Sequence, residues 1–259
     1  MKQHYVMGID NGGTVTKAAI YDRAGNVVAS ASKSTQMLTP KEFHTERDIN
    51  ELWAANVEVI KKAIAQSGID ASQIKGVAVT GHGNGLYMVD DTGAPVRNGI
   101  ISTDSRATAW VEKWYRDPTF VSDILPKTMQ SIWAGQPVAL LAWLKENEPE
   151  TLCKARYIFM VKDLIRFYLT GEAFLELTDI SGTNLINVRD RDYDASLLAW
   201  WGLGDLRDKL PPIKLSTDCC GYITEDVAQL TGLCAGTPVS GGVFDISASS
   251  VASGINTLD

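Results

Sequence analysis

Apolar and polar positions along this chain follow two different periods, and the switches between them predict its elements. Residues 6–22 hold two short apolar runs separated by Asn11-Gly12-Gly13-Thr14. Asn-Gly between extended runs predicts a β-hairpin, because both residues tolerate positive φ. A second turn at Arg23-Ala24-Gly25-Asn26 and a strand over 27–32 complete a meander. Residues 35–48 are polar, include Pro40 and predict a loop. Asp48 reads as the N-cap of a helix, with Glu51 as its capping-box partner. Ile49, Leu52, Trp53, Val57, Ile60 and Ile64 then recur at helical spacing, and Gly68 closes the helix. Residues 74–80 predict a buried strand running into Gly81-His82-Gly83-Asn84-Gly85, with 86–89 as its antiparallel continuation and Asp91-Thr92-Gly93 as the next turn.

The remainder is mainly helical. Residues 98–106 lead into a helix through Ala107, Val111 and Trp114, and Gln136-Pro137 opens another over 138–145 that Pro149 stops. Residues 157–169 begin strand-like and end helical at Gly171. Residues 179–188 predict a loop, 193–201 a short helix, Pro211-Pro212 a rigid connector, 228–232 a helix end, and 237–244 a last apolar strand that reaches Asp245. Strands and helices mixed in this order predict an α/β fold.

Composition narrows the class. At 259 residues, 45% hydrophobic and 21% charged, the chain is globular and can bury a full core. A net charge of −7 argues against a nucleic-acid partner. It does not exclude a phosphate ligand, since a local nest of amides and one metal ion overcome a diffuse field. The apolar residues before Asp10 are too few for a signal-peptide core or a membrane span. Cys153, Cys219, Cys220 and Cys234 form no C-x-x-C pair, so reduced thiols in the cytoplasm are expected. Adjacent Cys219-Cys220 as a redox or metal pair lacks a nearby histidine, and His4, His44 and His82 are too scattered for a zinc site. Most of the seven tryptophans sit at helical spacing, which favours core packing over sugar stacking.

Three stretches carry candidate chemistry. The glycines after Asp10 leave backbone N–H groups uncovered, a concave row of donors suited to phosphate. Asp10 would repel that phosphate unless a magnesium ion lies between them, held through its waters by the acid. An ordinary hairpin whose acid faces water remains the alternative. P-loop and dinucleotide fingerprints are excluded by spacing. Asp245 ends a buried strand and opens a run of small residues, a position suited to proton abstraction or simply to helix capping. Gly81 to Gly85 let a backbone approach a ligand closely, or shape a turn around a core histidine at His82.

Asp10-Asn11-Gly12-Gly13-Thr14-Val15-Thr16-Lys17 and Gly241-Gly242-Val243-Phe244-Asp245 resemble two motifs of the FGGY carbohydrate kinases. The likeness runs along nearly the whole chain and is nearest to the L-xylulose kinase branch. The resemblance implies the first lobe of a two-lobed, actin-like ATPase (RNase H-like) fold, with a mixed sheet flanked by helices. It implies ATP and Mg2+ as cofactors, a pentulose or related sugar or polyol as acceptor, and Asp245 as catalytic base. Nucleotide phosphates would then meet Asn11, Gly12, Gly13, Thr14 and Lys17, with magnesium at Asp10 through water. Sugar contacts carry over to Gly83 and Asn84, with His82 adjacent, and to Thr103, Asp104 and Asp245. Gln136 is a further candidate for a sugar hydroxyl, and Arg106 either faces substrate or pairs with Asp104. The 81–85 turn lacks the arginine and acid of the glycerol kinases, which argues against glycerol. The segment from Asp179 to Asn184 resembles a family loop that walls the cleft.

The expected division is residues 1–255 as the sugar-binding lobe and 256–259 as the start of a connection to a second lobe that the sequence does not contain. Such a half is expected to be inactive alone, because lobe closure cannot complete the site. The rivals are a non-catalytic sugar-binding or regulatory module, and an actin-like chaperone or filament protein. Oligomeric state is open, a homodimer included.

Overall fold

The computed structural model describes residues 3–255, so the connection expected at 256–259 lies outside the described residues. β1 (Tyr5–Asn11) and β2 (Val15–Tyr21) pair antiparallel, and β3 (Val27–Ser34) adds to β2. Period-two alternation sorts β1 into buried Tyr5, Met7, Ile9 and Asn11 on one face, with Val6, Gly8 and Asp10 on the other. Two residues, β4 (Glu46–Arg47), interrupt the expected polar loop. α1 (Ile49–Ser67) follows and packs on β2 and β3. Asp48 caps it, accepting from the amides of Asn50 (2.7 Å) and Glu51 (3.0 Å), and Gly68 closes it at φ 64°. The reciprocal half of the capping box is absent, because Glu51 reaches back to the amide of Gln36 (3.2 Å).

β5 (Ile74–Gly81) runs parallel to β1. β6 (Tyr87–Val89) does not continue beside it as expected. Asn84 and Gly85 take positive φ, at 60° and 72°, and turn the chain out of the sheet. β6 pairs instead with β8 (Tyr157–Phe159). Between them lie β7 (Gly99–Ile100), paired to β4, and helices α2 (Thr108–Tyr115), α3 (Leu125–Thr128), α4 (Pro137–Asn147) and α5 (Pro149–Lys154). Pro149 thus begins α5, where its missing N–H costs nothing.

α6 (Val161–Thr170) returns to the sheet and packs on β5 and β1. β9 (Leu175–Glu176) leads into α7 (Leu177–Ile180), and residues 179–188, expected as a loop, hold the end of α7, a helical turn over Ser181–Thr183 and β10 (Ile186–Asn187), which pairs with β11 (Asp192–Tyr193). α8 (Ala195–Trp200) and β12 (Ile213–Lys214), the latter beside β9, precede β13 (Cys219–Tyr222) and α9 (Glu225–Thr231). On β13, Cys219 is exposed and Cys220 buried, and all four cysteines are free.

The last strand expected over 237–244 is broken in two. β14 (Pro238–Ser240) and β15 (Val243–Phe244) both pair parallel with β5, and α10 (Asp245–Ala252) follows. Gly242 makes the break at φ 78°, and a Cβ there would lie 2.0 Å from the carbonyl oxygen of Val79. The main sheet therefore reads β13-β14-β5-β1-β2-β3. Trp114 and Trp201 are buried in the core, whereas Trp133 is 50% exposed. Among the described residues no helix is long and apolar enough to cross a membrane.

The cap on α1 is testable. Asp48→Ala should lower unfolding stability by about 1 kcal/mol in urea denaturation, since two amides lose their acceptor.

Candidate active site

The sheet register brings the two acids together. Asp10 on β1 and Val243 on β15 both align with Thr80 of β5, one on each side, and Asn11 and Phe244 both align with Gly81. Three parallel strands thus end at one level, the place where open α/β sheets gather ligands. Asp245 is the next residue beyond that level. It shares a hollow of about 480 Å³ with Asp10, Gly12, Ile246, Ser249 and Ser250.

Neither carboxylate is an ordinary surface acid. Partial burial raises Asp10 above the usual carboxylate range, against the pull of Lys17, its register partner on β2. Burial also raises Asp245, and the negative charge of Asp10 raises it further, while the Ile246 amide opposes. Phe244 is the N-cap of α10 and no side chain caps that helix, so Asp245 is not the N-cap the bland reading expects.

The hairpin turn differs from expectation in a useful way. Neither Asn11, Gly12 nor Gly13 takes a left-handed φ. Asn11 is the last strand residue, fully buried, and its side chain bonds Asn56 (2.8 and 3.2 Å) and receives Thr16 Oγ1 (3.3 Å). Period two sends it to the opposite face from Asp10, so its side chain is not a phosphate ligand. The Gly12 amide closes the turn on the Val15 carbonyl (3.0 Å). Among the described residues the amides of Gly13 and Thr14 donate to no backbone carbonyl, and both residues are exposed. Those two donors, with Lys17 exposed on the Asp10 face, remain for an anion.

Three expected sugar contacts are spent inside the protein. His82 is buried, with Nε2 2.9 Å from the Tyr87 hydroxyl and Nδ1 3.3 Å from the Gly83 carbonyl. A carbonyl only accepts, so Nδ1 carries the proton and the Tyr87 hydroxyl donates to Nε2. Burial holds this neutral ring at about 4. Asp104 accepts from the Thr45 amide (2.6 Å), the Arg106 amide (3.0 Å) and Arg106 Nε and Nη2 (both 2.9 Å), which uses its acceptor sites. Arg106 is therefore structural. Gln136 Oε1 accepts from Trp133 and Asn184, and its Nε2 donates to Gln130 and Gly182.

Gly83, Asn84 and Thr103 stay available. Gly83 packs so closely on the ring of Phe244 that a Cβ would meet it at 2.1 Å, which ties this turn to the residue before Asp245. Among the described residues Asn84 Oδ1 is buried without a hydrogen-bond partner, and Thr103 is exposed.

A buried charge cluster, not singled out from the sequence, holds these segments. Lys162 Nζ lies 2.9 Å from Asp163, 3.3 Å from Glu176 and 3.7 Å from Asp179, all essentially unexposed. Arg166 Nη1 bonds Asp163 (2.8 Å) and the Gly241 carbonyl (2.7 Å). Asp179 Oδ1 accepts from the Asn84 amide (3.4 Å). Thr178 Oγ1 donates to Glu176 (2.7 Å) and accepts from the Phe244 amide (2.9 Å). Burial pushes Asp179 up to about 7, with Lys162 opposing. Burial alone would lower Lys162, but the three carboxylates outweigh it. Three acids face two cations, so a proton on Asp179 leaves the cluster neutral. The Lys162-Asp163 pair on a helix after a strand was the available sequence signal, since full burial of such residues demands partners.

The architecture is that of the first lobe of the actin-like ATPase fold shared by sugar kinases. The sequence profile described as "FGGY family of carbohydrate kinases, N-terminal domain" matches residues 5–252, and the chain belongs to that family. It is 39% identical over 251 residues to the L-xylulose/3-keto-L-gulonate kinase of Escherichia coli, covering 97% of this chain and 50% of that one. Against the probable L-xylulose kinase of Pasteurella multocida the identity is 37% over 253 residues, covering 98% and 52%. The crystal structure of xylulose kinase from Rhodospirillum rubrum matches with a TM-score of 0.91 at 27% identity, over 98% of this chain and 51% of that one. The chain spans about half the length of the curated relatives it matches.

Two titrations check the electrostatics. Asp10→Asn removes a like charge, so the Asp245 carboxyl should titrate lower by 13C NMR while staying above the ordinary range. His82 takes up a proton in the unfolded chain near 6.5 but in the folded chain only near 4, so stability falls as pH drops through that window. Wild type should lose up to about 3 kcal/mol more than His82→Gln between those limits, measured by urea melts at each pH.

Proposed function

We propose that this chain forms the sugar- and phosphate-binding half of an ATP-dependent kinase that phosphorylates a hydroxyl of a pentulose or related sugar or polyol. The observation that carries the reading is the shared hollow of Asp10 and Asp245 at the ends of three parallel strands. Likeness to L-xylulose kinases supports the acceptor class. In this reading Asp245 accepts the proton of the attacking hydroxyl, and its raised affinity for protons suits a base that must hold one briefly. Gly13 and Thr14 amides and Lys17 bind phosphate oxygens, while Asn84 and Thr103 orient the sugar. Alignment and charge stabilisation account for most of the acceleration in phosphoryl transfer.

Magnesium fits this donor set. Among the described residues no group of three or more histidine, cysteine or acidic side chains could cage a metal. Two carboxylates on an open hollow suit an ion that keeps most of its waters. Asp10 would hold it through water, and when bound it would neutralise charge on the transferring phosphoryl group.

The chain alone is expected to turn over little, because water exclusion needs the second half found in the relatives. With a complementing second half, Asp245→Asn should cut sugar phosphorylation by about 10²–10⁴-fold while leaving sugar-dependent thermal stabilisation in place. Intact phosphorylation in that variant rejects the assigned base. Sugar-dependent stabilisation with no phosphoryl transfer in the complemented wild type favours a non-catalytic sugar-binding module.

A further inference from the structure

Arg47 is 1% exposed and sits directly beneath the hairpin turn. Its Nη1 donates to the Gly12 carbonyl at 2.8 Å, and its Nη2 bonds the Thr35 hydroxyl. Among the described residues its Nε is buried without a hydrogen-bond partner. Among the described residues no carboxylate lies within ion-pair distance of it, because the neighbouring Glu46 is engaged by Arg97 and Arg106. It also hydrogen-bonds the Tyr87 hydroxyl, and its charge acts on Tyr87 and His82, both neutral. A buried guanidinium without a counter-ion is costly, and bonds to one carbonyl and two hydroxyls, all neutral, leave its charge unmatched. The position therefore calls for an anion.

Backbone geometry says where that anion would sit. The Gly12 carbonyl and the Gly13 N–H belong to one planar trans peptide and point in opposite directions. By drawing the carbonyl inward, Arg47 turns the Gly13 N–H outward, on the exposed side of the turn. The Thr14 carbonyl is held in turn by the Thr35 amide at 2.9 Å, and Thr35 is the same residue whose hydroxyl meets Arg47.

We infer that Arg47 is the buried positioning residue of a phosphate site at Gly13-Thr14, aiming the Gly13 amide and supplying positive charge from below that a bound polyphosphate neutralises. The inference rests on the phosphate reading of this turn and adds a residue from outside the hairpin. It also answers the conflict posed by Asp10, since the turn then carries a positive charge of its own.

The test uses this chain and magnesium pyrophosphate as the probe. In 15N-labelled wild type, pyrophosphate should shift the Gly13 and Thr14 amides together with the Arg47 guanidinium nitrogens. By titration calorimetry Arg47→Met should weaken binding by about tenfold or more, and Arg47→Lys, which keeps the charge without the fork, by less. Equal affinity in Arg47→Met overturns the role of Arg47. So do shifted turn amides beside an unmoved guanidinium in the wild type, a result that needs no variant to fold. No shift at Gly13 and Thr14 in the wild type rejects the phosphate reading itself, and the role of Arg47 with it.

Discussion

The constraint on which the candidate site depends is the pairing of β5 on both of its edges. β1 lies parallel on one side and β15 on the other, each in register with Thr80 and Gly81. Hydrogen-bond ladders leave no freedom to slide one strand without flipping its side chains to the other face. Two acids more than two hundred residues apart therefore reach one hollow by backbone pairing alone. Gly242 is what allows it, because the break between β14 and β15 lets the chain shift along β5 at a point where a side chain would strike the Val79 carbonyl.

Backbone pairing sets the level of the site, and the buried ions set its angles. Lys162 and Arg166 on α6 gather β9, α7 and the Gly241 carbonyl around two cations. Replacing such a cluster by apolar packing is often neutral or stabilising in other proteins, so its presence is weak evidence of stability. Its hydrogen bonds end at Asn84, Gly241 and Phe244, the three segments that border the site. The contribution that fits this pattern is orientation. Arg47 has the same character, a buried cation whose bond ends on the turn at Gly12.

Local chemistry was legible in the sequence wherever it announced itself by spacing. Asp48 before a helical period, Gly68 after it, the meander of three strands and the two glycine-flanked acids all kept their expected places. Polar residues were not legible in the same way. His82, Asp104 and Gln136 look like ligands in a linear reading, yet Tyr87, Arg106 and Asn184 satisfy them. Whether a polar side chain is free depends on partners that no period in the sequence reveals. β4 escaped notice because two residues cannot display an alternation, and with it went Arg47.

The sequence by itself determined the α/β order of elements, the hairpin, the helix ends and the two acids worth attention, because each rests on contacts within a few residues. Tertiary structure decided which face each residue occupies, which amides of the turn are spent and which stay open, and that Asp10 and Asp245 meet. Those outcomes follow from strand register and from the burial of charges whose partners lie far away in the chain. Burial is a property of the assembled fold, and it is the fold that leaves the Arg47 guanidinium buried with no carboxylate at ion-pair distance among the described residues.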